Sequence, residues 1–322
     1  MKKFTLIILS VCFLFIGFLA NSQTEVTLVI DHKLGANDFQ MNQNAQNNLG
    51  NDFKLSRMEY YITRFSVIHD GGQVLAVDDN VIALVNAENY TSIPLGSLNV
   101  TSIEGIKFHI GVYQPVNTAD PSLQPSSSPL SFQNPSMHWG WASGYRFIAL
   151  EGLSGPSLNQ TTELHGLGNQ NYFETTVMAS GEAINGGQVI SIKADYTEGL
   201  RDINISSGLI VHATNAQAAQ MIGNFRDFVF SAGQSVAGLE SISLENVKVY
   251  PIPSQGKISI ETPSEFIGGQ ATIINAQGQI VQKMDVQLGA GQSNITLDES
   301  GIFMLILETK DNEKKTFKIV NN

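Results

Sequence analysis

From Lys257 to Val320 apolar residues recur in short bursts, each closed by turn residues. The bursts are Lys257 to Glu261, Ala271 to Asn275, Gln279 to Val286, Ser293 to Leu297, Phe303 to Glu308 and Thr316 to Val320. Alternation with a period of two puts successive apolar groups on one face of a strand, and runs this short cannot build a helix with a stripe of its own. Six or seven strands in fewer than about 80 residues define a small, Ig-like β-sandwich. The fold available to the end of this chain is therefore narrow.

The rest is also mainly β, with a different texture. Val26 to Ile30 alternates and is expected to break at Asp31-His32. Leu55 to Ile68 is long and rich in aromatic and β-branched residues. Ile106 to Tyr113, Phe147 to Leu150 and Val189 to Tyr196 are further strands. One helix stands out: Ala218, Ile222, Phe225 and Val229 recur at spacings of four and three, and Asn215 is placed to cap it. Two long loops interrupt the scaffold. Residues 35–51 hold six asparagines, and residues 115–136 hold five of the ten prolines. Long irregular loops in a compact domain are commonly functional. The predicted architecture is a β-sandwich-like domain with long loops and one helix over 23–236. A linker over 237–246 and the small sandwich over 247–322 follow it.

Residues 1–22 read as a signal peptide. Lys2 and Lys3 precede an apolar run from Phe4 to Leu19, and Ala20-Asn21-Ser22 offers small residues for cleavage before Gln23. No other stretch is long and apolar enough to span a bilayer, so the mature chain is expected to have no transmembrane segment. The single cysteine, Cys12, lies inside the leader, followed by Phe13 and Leu14 rather than the small residues of a lipoprotein site. The mature chain then has no disulfide, no cysteine nucleophile and no thiolate-bound zinc. Loss of Lys2 and Lys3 leaves 16 basic against 29 acidic residues, a balance that argues against nucleic acid as a partner.

Both tryptophans fall in one run, Met137-His138-Trp139-Gly140-Trp141-Ala142-Ser143-Gly144-Tyr145-Arg146-Phe147. Trp139 and Trp141, one residue apart, share a strand face and suit either an aromatic wall or the lining of a metal site. The six histidines match no local metal motif, so a site would have to assemble in space. Context selects four. His32 leaves the first strand, His138 lies within the tryptophan run, His165 precedes Gly166-Leu167-Gly168, and His212 precedes the helix. A helix N-terminus favours neutral imidazole, the ligating form. His69 sits at the hairpin turn Asp70-Gly71-Gly72 and His109 lies mid-strand; both read as structural. Imidazole and thioether without thiolate or clustered carboxylates favour copper over calcium, magnesium or structural zinc. Glu163 and Asp31 are plausible acceptors for ligand N–H groups.

No enzyme is expected. Ser143 is one place off a nucleophile elbow, and Gly166-Leu167-Gly168 lacks the third glycine of a dinucleotide fingerprint. Asp195 with Glu198, and Asp78 with Asp79, read as solvated turn residues.

Two resemblances sharpen this reading. The tail resembles the type A C-terminal sorting domain of the type IX secretion system of Bacteroidetes. It does so through Val249-Tyr250-Pro251-Ile252-Pro253, Ile273-Ile274-Asn275-Ala276-Gln277-Gly278-Gln279-Ile280-Val281, Gly301-Ile302-Phe303-Met304-Leu305-Ile306 and the lysine-rich finish Lys314 to Val320. That implies export to the cell surface or medium, with the secretion machinery as partner.

The first domain resembles the MbnP-like family of exported copper-binding proteins. It does so through Phe53 to Thr63, Gly105 to Val112, the segment Met137 to Phe147 with Glu151-Gly152, and Leu164-His165-Gly166. The resemblance implies copper bound by histidines, with Trp139 or Trp141 matching a tryptophan that can be oxidised to kynurenine beside the metal. His165 matches the family's late histidine, and His32 its early one more weakly. The segment Leu-His-Gly-Leu-Gly departs from the family's simpler His-Leu-Gly form. The expected function is copper capture, storage or handover, as Cu(I), through His32, His165, His138 and His212 with Trp139 and Trp141. The alternative is a metal-free surface recognition module that binds glycan or peptide on its aromatic segment.

Overall fold

A computed structural model describes residues 23–89, 91–140, 142–184, 186–234, 244, 247–262, 269–286, 291–309 and 314–322. The leader (1–22) and Trp141 lie outside the described residues, as does the linker stretch 237–246 apart from Leu244.

The first part opens with β1 (Thr24–Leu34), β2 (Asn37–Asp38), β3 (Ala45–Gln46) and the long β4 (Asp52–His69). Then come β5 (Gln73–Ala76), β6 (Ile82–Asn86), β7 (Thr91–Leu98) and β8 (Ile103–Ile110). After the proline-rich loop follow β9 (Ile148–Ser154), β10 (Gln160–Gly166), β11 (Phe173–Val177), β12 (Gly181–Ile184) and β13 (Gly187–Asp195). The part ends with β14 (Leu209–Ala213), α1 (Ala216–Asn224) and β15 (Phe230–Ala232).

Two sheets share one core. The smaller runs β12-β13-β1-β2, with β7 on β1 and β15 on β13. The larger runs β11-β8-β4-β9-β10-β14, with β3, β5 and β6 on β4. Most neighbours are antiparallel, but β1 pairs with β13, and β10 with β14, in parallel. Parallel neighbours need a crossover, so these pairs join segments far apart in the chain.

Strand β4 buries consecutive residues, Met58 through Phe65 interrupted only by Glu59 and Arg64, because both of its faces are covered. Tyr60 points inward to Tyr196, Phe225 and Phe230. Tyr61 points outward under the proline-rich loop. There it packs edge-on against Tyr145, and its hydroxyl donates to the Pro129 carbonyl at 2.8 Å. The loop that prolines stiffen in sequence is thus a lid on the outer face of the larger sheet.

Three local expectations are revised. Strand β1 continues through Asp31 and His32 to Leu34, because parallel pairing with Lys193, Ala194 and Asp195 supplies its hydrogen bonds. The helical pattern is real, but α1 ends at Asn224 and Phe225–Val229 forms a π-turn that keeps Phe225 and Val229 buried. Asn215 holds the N-cap position without a side-chain cap; its carbonyl accepts from Ala219 N–H.

The second part comprises β16 (Lys248–Tyr250), β17 (Lys257–Thr262), β18 (Gly269–Asn275), β19 (Ile280–Val286), β20 (Gly291–Thr296), β21 (Gly301–Thr309) and β22 (Lys314–Asn321). Sheets β16-β17-β20 and β19-β18-β21-β22 close on a separate core of Ile258, Ile260, Ile273, Ile295, Leu305, Leu307 and Ile319. Leu244 belongs to this core, and Lys315 Nζ donates to its carbonyl. Among the described residues no helix is long and apolar enough to cross a membrane.

Candidate functional site

The site follows from strand register. Across β4, β9, β10 and β14, Arg57, Glu151, Glu163 and Ile210 form one row, and Glu59, Ala149, His165 and His212 the next. Residues two apart on a strand share a face, so these side chains all stand on the outer side of the larger sheet. Leu164 and Gly166, in between, face the core, where Gly166 leaves room for Ile222 of α1; a Cβ there would lie 2.6 Å from Ile222 Cγ1.

His165 and His212 are direct partners in the parallel pair. Their rings stack with centroids 4.0 Å apart and planes 14° from parallel. Trp139 meets both edge-on, at 5.8 Å from His165 and 5.1 Å from His212. Sequence analysis selected all three residues, and the fold gathers them into one cluster.

The tryptophan run reaches this face as a short hairpin. Trp139 N–H donates to Gly144 O, Arg146 N–H to Met137 O, and Phe147 N–H to Gly166 O, which ties the run to β10. Gly144 is required, since it has φ +73° and a Cβ would sit 2.2 Å from the Asn117 carbonyl. Trp139 stays 40% exposed while His165 is buried.

Charged groups surround the pair. His165 Nε2 lies 2.8 Å from Glu151 Oε1, and Arg57 Nη1 donates to the same oxygen at 2.8 Å. The His165 hydrogen bond, then Arg57, hold the Glu151 carboxyl at about 2. With Arg57 donating to it, the Glu151 oxygen is an acceptor, and the 2.8 Å contact is a hydrogen bond when His165 carries its proton on Nε2. The other nitrogen, Nδ1, accepts from Arg146 Nε at 3.2 Å. The Arg146 guanidinium lies 4.4 Å above the Trp139 ring. Arg57 also pairs with Glu59 and donates to the sulfur of Met137, which turns that thioether into the protein. His212 Nε2 stands 3.2 Å from Glu163 Oε2, an ion-pair distance without hydrogen-bond geometry. Burial, then its neighbour His165, lowers the His212 pKa and favours the neutral ring.

The other two selected histidines lie elsewhere. His32 is in the smaller sheet, with Nδ1 2.6 Å from Tyr196 Oη and Nε2 2.8 Å from Thr91 Oγ1. Burial lowers its pKa to about 4. Asp31 pairs with Lys33 rather than with that ring. His138 packs edge-on against Tyr145, and burial lowers its pKa. Of the two histidines not selected, His69 bonds Asp70 and His109 stacks on Tyr172, both away from the His165–His212 pair.

Arg57, Glu151 and Arg146 were not singled out in the sequence. The signal for Arg57 was the alternation Arg57-Met58-Glu59, in which polar groups recur on one face of a mostly apolar strand, and no such pattern marks Glu151 or Arg146. Among the described residues no group of three or more His, Cys, Asp or Glu side chains converges as a metal cage. The donor set here is two imidazoles beside an indole, which suits a soft, low-coordinate ion.

Comparison with known proteins gives the families to which the two parts are similar. Residues 248–322 match the secretion system C-terminal sorting domain, so the chain is an exported, mainly β protein directed to the cell surface or beyond it. Residues 23–218, more than half of the chain, match MbnP, and the chain belongs to the MbnP family. Among solved structures it is similar to MbnP from Methylosinus trichosporium. Identity is 14%, covering 61% of this chain and 83% of that one, with a TM-score of 0.44. No curated protein matches the chain.

Proposed function

We propose that this protein binds copper outside the cell as cargo, for capture, storage or handover, and carries out no turnover of its own. The observation that supports this most is the stack of His165 on His212 beneath Trp139, set by the register of β10 and β14. Two neutral imidazoles suit Cu(I), which accepts few, borderline-to-soft nitrogen donors. The Glu151 carboxylate is engaged by Arg57 and His165, and Glu163 alone does not make the hard oxygen cage that calcium or magnesium needs. Membership of the MbnP family supports the same reading.

Metal analysis of the full chain, loaded with Cu(I) and dialysed against a weak chelator, tests it. About one copper per chain is expected. His165→Ala and His212→Ala should each weaken retention at least about tenfold, and His69→Ala and His109→Ala should not. Protein that stays copper-free would favour the metal-free recognition module, with the exposed Trp139 as its platform. The family resemblance further motivates oxidation of Trp139 or Trp141 to kynurenine. Peptide mass spectrometry of the Met137 to Arg146 segment from copper-grown cells should find one carbon lost and one oxygen gained on an indole. Sulfoxide at Met137 alone would not count.

A further inference from the structure

We propose that Arg146 occupies, from within the chain, the one nitrogen of His165 that a metal ion can use, and so sets how readily this site takes copper; the inference rests on the copper reading above. A neutral imidazole has a single in-plane lone pair. Glu151 is locked as a carboxylate by Arg57, so the His165 proton stays on Nε2, facing it. The lone pair is therefore on Nδ1, where Arg146 Nε donates at 3.2 Å. Turning the ring over would bring the bare nitrogen against the Glu151 carboxylate and is disfavoured.

The guanidinium is held in place by more than this one bond. It lies over the Trp139 ring at 4.4 Å, its Nη1 donates to the Ser136 carbonyl, and the Arg146 backbone N–H is fixed on Met137 O at 2.7 Å. The partner ring does not offer a way round it. His165 and His212 are stacked 14° from parallel, so their lone pairs run side by side instead of converging. An ion shared by both rings must first lift Arg146 from Nδ1 and let the rings turn. Arg146 is thus a positioning residue: it keeps His165 oriented and its lone pair covered until a metal competes for it. Because the same side chain covers Trp139, uncovering His165 also releases one face of the indole.

Full-length wild type, Arg146→Met and Arg146→Gln test this with two readouts. The first is Cu(I) affinity by competition with bicinchoninate. The second, in metal-free protein, is the nitrogen NMR resonance of His165 Nδ1, which reports whether that lone pair accepts a hydrogen bond. Losing a hydrogen bond from a charged donor should tighten Cu(I) binding about tenfold or more and move the Nδ1 resonance toward that of an unbonded acceptor. The Gln variant, which keeps a polar group on the indole, guards against misfolding of the Met variant. Unchanged or weaker Cu(I) binding in a folded variant overturns the proposal, as does an Nδ1 resonance that ignores the substitution. Wild-type protein that takes no Cu(I), with an Nδ1 resonance that does respond, overturns the copper reading and the proposal's metal half together while confirming the contact.

Discussion

Arg57 is the residue on which the site's charges converge. Its side chain is 9% exposed and ties Glu59, Glu151, the carbonyls of Pro135 and Ser136, and the sulfur of Met137 into one network. Removing one partner of a buried pair strands the other's charge, so Arg57→Ala should destabilise the first part by about 3–5 kcal/mol, measured by urea unfolding. A change under 1 kcal/mol would show the network to be idle. His32 makes a different prediction. Its folded pKa is about 4 against 6.5 for the free side chain, because burial penalises the cation. Between these values the unfolded chain binds the extra proton. Stability is then untouched above about pH 6.5 and should fall by about 2 kcal/mol on going to pH 5. The Glu151 contribution has the opposite origin: it is present above the ordinary carboxyl pKa of 4.5 and is lost only as pH drops toward 2. The window from pH 7.5 to 5 therefore isolates the imidazoles. His32→Gln should be weaker at pH 7.5 yet lose less on acidification than wild type; parallel losses would rule this account out.

Strands with unbroken β-branched and aromatic residues were legible in the sequence because their pattern is local: β4, β8, β13 and β17 to β22 fall where alternation put them. The two-residue strands β2 and β3 were not, since partners decide them. The asparagine-rich loop is ordered by side-chain bonds such as Asn47 Nδ2 to the Leu200 and Ile203 carbonyls, contacts that no local pattern encodes. The site divides the same way. His165, His212 and Trp139 could be picked by type and context, but their meeting depends on the parallel register of β10 with β14. The charged partners Arg57 and Glu151 belong to strands whose composition reads as core, and Arg146 to the segment just before β9. Two glycines carry the loop and helix against this sheet. Gly144→Ala combines a left-handed backbone with a Cβ 2.2 Å from the Asn117 carbonyl, and should cost about 3 kcal/mol or more. Gly166→Ala forces Ile222 to move, lifting α1 from β10. A thermal midpoint unchanged in either variant would contradict the packing described.

The two parts have separate hydrophobic cores, and the sorting domain match covers the second alone. Deleting 248–322 should therefore leave the first part folded, with its near-ultraviolet circular dichroism intact, but absent from the cell surface and medium and trapped in the periplasm. Normal amounts outside the cell would refute the division of labour. The parallel pairing of β10 with β14 has a last consequence for timing. His165 and His212 are far apart along the chain and become neighbours only when the final strand of the larger sheet docks at its edge. The pair is thus a property of the finished fold, and an unfolded chain would offer a metal only scattered imidazoles.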